Sequence, residues 1–142
     1  MAHINDLIRG QETVSAHGHQ TVMEVVQMMV ERNIGAVPVV QEGELLGIFS
    51  ERDLMKRVVA EGRDPRQTRI TEVMTADPVT VSPTTKLEHC MDLMREHGFR
   101  HLVVCEGKKL RGLISLRDIL LHDLVEKDGE VQAMRAYLAQ NS

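Results

Sequence analysis

The chain has 142 residues and a net charge of −4, from 17 basic and 21 acidic side chains. That length suits a single shared core, and the acidic balance argues against a nucleic-acid footprint, which is normally basic. No apolar run is long enough to span a bilayer, the N-terminus lacks the charged-then-apolar order of a signal peptide, and Cys90 and Cys105 sit in apolar stretches rather than in a disulfide framework; a reducing, cytoplasmic setting is expected.

In chain order, residues 3–9 predict a short helix with Ile4, Leu7 and Ile8 on one side, and residues 13–16 a short strand. Thr21-x-x-Glu24 has capping-box spacing and opens a helix that runs to about Arg32. Residues 36–40 are apolar and β-branched; with residues 45–50 they predict a hairpin closed by the polar turn at 41–44. A helix follows over 51–60, with Leu54, Met55, Val58 and Val59 as its apolar stripe. The polar stretch from Glu61, with Gly62 and Pro65, reads as a linker. The same order then recurs: a strand at 79–81, a turn, a helix opened by Thr85-x-x-Glu88 and ending near His97, strands at 101–105 and 110–115, and a helix from Leu116. Asp128-Gly129 breaks it, and residues 130–139, with Val131, Met134 and Leu138 at helical spacing, predict a last helix.

The recurrence is a duplication. Displaced by 65 positions, the chain aligns with itself without a gap: Gly47-Ile48-Phe49-Ser50-Glu51-Arg52-Asp53 falls on Gly112-Leu113-Ile114-Ser115-Leu116-Arg117-Asp118. Val22, Val25, Val26 and Met29 fall on Leu87, Cys90, Met91 and Met94, the i, i+3, i+4, i+7 positions of one helical face. Units of this size bury little surface and are marginal alone. Two β-α-β-β-α units sharing a core about an approximate two-fold axis are therefore expected. The segments are 1–9 for the N-terminal helix, 10–62 for the first unit, 63–72 for the linker, 73–127 for the second unit and 128–142 for a helical tail.

The β-α-β-β-α order, the apolar strand Val37-Pro38-Val39-Val40 and the doubled Gly-x-x-Ser-x-x-Asp signature resemble a CBS domain (cystathionine β-synthase domain). Two in tandem, over about residues 10–127, resemble a CBS pair, or Bateman module, of the free-standing bacterial type. The resemblance implies an α+β fold and a regulatory rather than catalytic role. It implies adenosine-containing ligands in clefts between the units: AMP, ADP, ATP, NAD(H) or S-adenosylmethionine. The signature Asp would take the ribose hydroxyls and the Ser the phosphate, with apolar strand residues around adenine. It also implies a homodimer joined through helical edges and a downstream partner protein of unknown identity, with no nucleic acid and no membrane.

Chemistry at these positions is compatible with that expectation. A carboxylate is acceptor-only with two oxygens, which suits the paired hydroxyls of a ribose. Asp53 and Asp118 each follow a strand-end Ser by three residues. There a helix N-terminus offers free N–H groups and a favourable dipole to phosphate; Ser50 and Ser115 add hydroxyls, and Arg52 and Arg117 add charge. Ser-x-x-Asp is equally a plain helix cap, and one Asp can serve both purposes.

The resemblance places the other unit's strand opposite each Asp. Asp53 should face Phe99, Arg100 and His101, a basic cleft with an aromatic edge. Asp118 should face Ile34, Gly35 and Ala36, a small apolar one. Ile48, Leu113, Val14 and Val79 should line the adenine slots. On this reading the Asp53 cleft prefers the more highly charged ligand. No catalytic residues are expected, since no nucleophile–base–orienter set can be assembled, and no metal ligands, since His17 and His19 are two where a closed site needs about four and Gly98 ends the helix between His97 and His101. Two other readings stand beside the sensor: a structural dimerisation module with silent pockets, and, less favoured, a nucleotide-hydrolysing enzyme.

Overall fold

The protein is described by a computed structural model covering residues 3–126, 132 and 135–139. The expected tail helix falls partly outside these residues; within them, residues 135–139 are helical. The elements, in order, are α1 (Ile4–Ile8), β1 (Ala16–His17), α2 (Val22–Arg32), β2 (Ala36–Gln41), β3 (Glu44–Ser50) and α3 (Glu51–Asp53). A π-helical stretch, Leu54–Val59, continues α3. Then come α4 (Ile70–Val73), β4 (Thr75–Ala76), β5 (Thr80–Val81), α5 (Leu87–His97), β6 (His101–Glu106), β7 (Lys109–Ser115) and α6 (Leu116–Glu126).

Each half is an antiparallel hairpin, β2–β3 or β6–β7, extended by a short parallel strand, β1 or β5. The strands join into one sheet of order β1-β2-β3-β7-β6-β5, with β4 paired to β3. The junction is narrow: Glu44 of β3 pairs with Lys109 of β7, and the Leu45 N–H donates to the Lys108 carbonyl at 3.0 Å. Glu44 and Lys109 differ by 65 positions, so a residue pairs with its own repeat equivalent, and the approximate two-fold axis passes between them.

The stripes of α2 and α5 are buried as their spacing predicts, but the stripe expected over 51–60 is split: Leu54 and Val58 pack on the first core cluster, whereas Met55 and Val59 are exposed, because the chain there winds as a π-helix rather than an α-helix. Val22, Val25 and Met29 of α2 lie inside one core cluster, and Leu87, Cys90 and Met94 of α5 inside a second. The caps differ. The Thr21 hydroxyl accepts from the Glu24 N–H at 3.2 Å, and the Glu24 carboxylate accepts from the Thr21 N–H at 3.1 Å. Thr85 does not cap α5. The residue 65 positions after Thr21 is Lys86, which takes the N-cap position with no side-chain bond, while the Thr85 hydroxyl accepts from the Ser82 N–H at 3.1 Å and holds the turn.

The stretch read as a linker holds α4, whose Ile70 and Val73 are fully buried in the first core cluster. Two apolar side chains three residues apart are all that such a short helix needs to dock, and the arginines around them mask the signal. The N-terminal α1 does the converse. Its Ile4 and Ile8 pack among Val81, Leu87 and Ile114 of the second half, and the Ile4 N–H donates to the Thr85 carbonyl at 3.1 Å. Both helices use the same cap: Asp6 accepts from the His3 N–H at 3.0 Å, and Glu72 from the Arg69 N–H at 2.8 Å. Those bonds hold both carboxyls below their usual range. Each half thus lends its leading helix to the other.

Candidate functional site

The strand-to-helix junctions are built alike. The Glu51 N–H is held by the Gly35 carbonyl at 3.0 Å, and the Leu116 N–H by the Arg100 carbonyl at 2.8 Å. These bonds fix each helix start against the first strand of its hairpin. At the first junction the Asp53 Oδ2 accepts from the Ser50 N–H at 3.0 Å and from its hydroxyl at 3.1 Å. At the second, the Asp118 Oδ2 accepts from the Ser115 N–H at 3.0 Å, and the Ser115 hydroxyl accepts from the Asp118 N–H at 3.0 Å. Each serine thus stands at the helix start and each aspartate closes a capping box from three residues in, using one carboxylate oxygen.

The other oxygens differ. Asp53 Oδ1 accepts from the Thr75 hydroxyl at 3.2 Å and lies 3.7 Å from Arg57 Nε. Arg57 also donates to the Met74 carbonyl at 2.7 Å, which ties the π-helical turn to the segment leading into β4. Among the described residues, Asp118 Oδ1 has no hydrogen-bond partner. A hydroxyl from a ligand could reach that oxygen directly, whereas at Asp53 it would share with or displace Thr75.

Each aspartate opens onto a cleft made by both halves. The larger, about 570 Å³, brings Ile48, Ser50, Arg52 and Asp53 from the first half against Val79, Phe99, Arg100 and His101 from the second. The smaller, about 330 Å³, brings Leu113, Ser115 and Asp118 against Val14, Ile34, Gly35 and Ala36. Both volumes fall in the range of small-molecule sites. Of the residues selected from sequence, Arg117 alone lines neither cleft; its side chain is exposed on α6. Pairing of repeats across the axis explains the rest, because it sets each signature opposite the other half's first hairpin strand.

Two expectations about character need correction. The Asp53 cleft is not simply basic, because Glu51, Asp53 and Asp77 outnumber Arg52 and Arg100. The Asp118 cleft is small but not apolar: Gln11, Glu12, Thr13 and Asn33 form part of its wall. Among the described residues no lysine or arginine lines it, although Glu12 pairs with the exposed Arg32 at 3.3 Å. Sequence reasoning also missed Thr75, Asp77 and Pro78. They come from the passage between α4 and β5, which pattern alone renders as featureless coil.

His101 lines both clefts. Burial lowers its pKa, against the opposing pull of Asp118 and Glu51, and Arg100 adds to the lowering. Nearby, the His97 and Phe99 rings stack with centroids 5.1 Å apart. Among the described residues, no group of three or more His, Cys, Asp or Glu side chains could hold a metal ion, and no helix is long and apolar enough to cross a membrane.

Comparison with known proteins places this architecture. The CBS domain model matches twice, at residues 5–60 and 70–124. The mitochondrial CBS domain-containing protein CBSX3 of Arabidopsis thaliana is 34% identical over 123 residues, covering 83% of this chain and 60% of that protein. CBS domain-containing protein YhcV of Bacillus subtilis is 35% identical over 125 residues, covering 87% of each. The chain thus spans somewhat over half of the plant relative and most of the bacterial one. Among solved structures, a putative signal-transduction protein with CBS domains from Burkholderia ambifaria superposes with a TM-score of 0.81 at 33% identity, over 87% of this chain and 95% of that one. Two matched repeats, one continuous sheet and interlocked halves make this chain a member of the CBS domain family, with two CBS domains in tandem.

Proposed function

We propose that the chain is a regulatory sensor that holds adenosine-containing ligands in the two clefts between its repeats. One observation carries the reading. Two carboxylates at equivalent positions each sit in a cleft walled by both halves, with one oxygen spent on a capping box and the second open to a sugar hydroxyl at Asp118, or shared by the Thr75 hydroxyl and Arg57 at Asp53. A ligand touching both halves biases their relative arrangement by the difference of its affinities for the two arrangements. The output is a change in association with a partner protein or a second copy.

The clefts should discriminate by charge. Arg52 and Arg100 make the larger one the site for AMP, ADP, ATP or NAD(H). The smaller cleft, whose charged lining is Glu12 and Asp118, holds an uncharged or cationic adenosine derivative such as S-adenosylmethionine, and more weakly. Exposed Met55 and Val59 on the π-helical stretch and Leu120 and Leu121 on α6 supply the apolar faces for a homodimer.

A thermal-shift panel of these ligands on the wild type, Asp53→Ala and Asp118→Ala tests the reading. A ligand at a hundredfold over its Kd adds about 2.7 kcal/mol of stability. Loss of the phosphorylated-ligand shift in Asp53→Ala, with retention in Asp118→Ala, is expected. No shift with any adenine ligand would favour a silent dimerisation module, and turnover of ATP on prolonged incubation would favour an enzyme.

A further inference from the structure

Gly35, Ala36 and His101 line both clefts, and the last two are a pair of unlike equivalents. Ala36 opens β2 opposite Ser50, and His101 opens β6 opposite Ser115. The two are 65 positions apart, and both line both clefts. Ala36 is 1% exposed and its side chain carries no polar group. His101 is half-buried, and among the described residues its ring makes no hydrogen bond. The dividing wall therefore has one titratable side chain, accessible from both sides.

We propose that His101 is a ligand-contacting residue common to both clefts, and that through it a phosphate bound beside Asp53 alters what the Asp118 cleft will hold. The proposal rests on the nucleotide reading of the clefts. On the larger side the charged groups facing the wall are Glu51, Arg52, Asp53, Asp77 and Arg100. On the smaller side they are Glu12 and Asp118. Burial disfavours the imidazolium here. A polyphosphate placed against Arg52 and Arg100 adds negative charge on that side and favours the imidazolium. The new cation then draws on Asp118, whose open oxygen would otherwise accept a hydroxyl from a second ligand. Occupation of the first cleft by an anion should therefore take up a proton and weaken the second cleft toward a neutral nucleoside.

The experiment is calorimetric titration of ATP into the wild type and His101→Gln at pH 6, 7 and 8, in two buffers of different ionisation heat. The wild-type to variant affinity ratio, in which ATP's own protonation cancels, is expected to rise about three- to tenfold from pH 8 to pH 6, the tenfold corresponding to one pKa unit. Proton uptake should accompany binding to the wild type and be absent from the variant. Adenosine titrated into ATP-saturated protein should bind more weakly than to free wild type, and that difference should vanish in His101→Gln. The His101 ring resonance of the unaltered protein gives the same answer without a substitution: its titration should move upward when ATP is added. A ratio flat with pH, or a ring titration unmoved by bound ATP, overturns the shared-histidine proposal alone. Failure of ATP and adenosine to bind the wild type overturns the nucleotide reading and this proposal with it.

Discussion

Asp53 and Asp118 perform one local task among different neighbours, and their substitutions should separate accordingly. Each aspartate closes a capping box from its third helical position, and losing a capping interaction costs about 0.5–2 kcal/mol. Asp53→Ala also strands the Thr75 hydroxyl and Arg57, so it should fall near the upper end of that range, about 2 kcal/mol. Asp118→Ala, with no second partner to abandon, should cost about 1 kcal/mol; urea denaturation at pH 7.5 measures both. His101 sets a pH dependence of opposite origin. Its lowered pKa means that the unfolded chain binds the proton more readily, so stability should fall as pH drops below the ordinary histidine value of 6.5 toward the folded one. Denaturation of His101→Gln should show a shallower slope across that window. Burial pushes the Cys90 thiol up to about 11, so at pH 8 it should resist an aromatic disulfide reagent until the protein is unfolded. At this scale the sequence was informative because the signature repeats in register, which places Asp53 and Asp118 at matching turns. Thr75, Asp77 and Glu12 were illegible, since their part in a cleft depends on where irregular segments run.

The paired motif glycines make the lending of helices testable at the level of single elements. A Cβ added at Gly47 would lie 2.5 Å from the Thr75 carbonyl oxygen, a backbone atom fixed by the pairing of β4 with β3. A Cβ at Gly112 would meet the Ile8 Cγ2 methyl at 3.0 Å and the end of the Gln11 side chain at 3.1 Å, side-chain atoms that a small shift of α1 and the loop after it can relieve. Gly47→Ala should therefore cost about 2–3 kcal/mol, as overpacking against an unyielding neighbour does, and Gly112→Ala about 1 kcal/mol or less. Parallel denaturation curves compare them, and equal costs would contradict this account of what covers each motif. The hairpins and the long helices were legible because their apolar periods are strong over 6–11 residues. The element α4 was not, because its two buried side chains lie in an arginine-rich setting. The first strands were misjudged in extent: β1 occupies Ala16–His17 rather than 13–16, since only the residues opposite Val39 and Val40 find backbone partners. The π-helical character of Leu54–Val59 had no sequence signal; it coincides with the turn where Arg57 reaches back to both Asp53 and Met74.

For the molecule as a whole, two core clusters joined by exchanged helices should unfold as one. Residues 1–65 prepared alone lack Ile70 and Val73, which complete the first core, and residues 66–142 lack Ile4 and Ile8, which complete the second. Each fragment should show no cooperative thermal transition by circular dichroism, and mixing the two should restore one. A half that melts cooperatively by itself would show that the exchange is ornamental. The duplication and its approximate axis were legible from the gapless offset of 65. The edge-to-edge fusion into a single sheet was not, because it depends on one pair of residues.

That pair, Glu44 beside Lys109, carries a historical implication. A position meeting its own copy across a dyad is the geometry of two identical half-length chains associated with each other, each handing its first helix to its mate. Tying the chains end to end changes none of these contacts, but it frees the two copies to become different. Alanine at one ancestral position and histidine at its twin is a divergence that a strict homodimer, bound to spell both subunits alike, could never acquire.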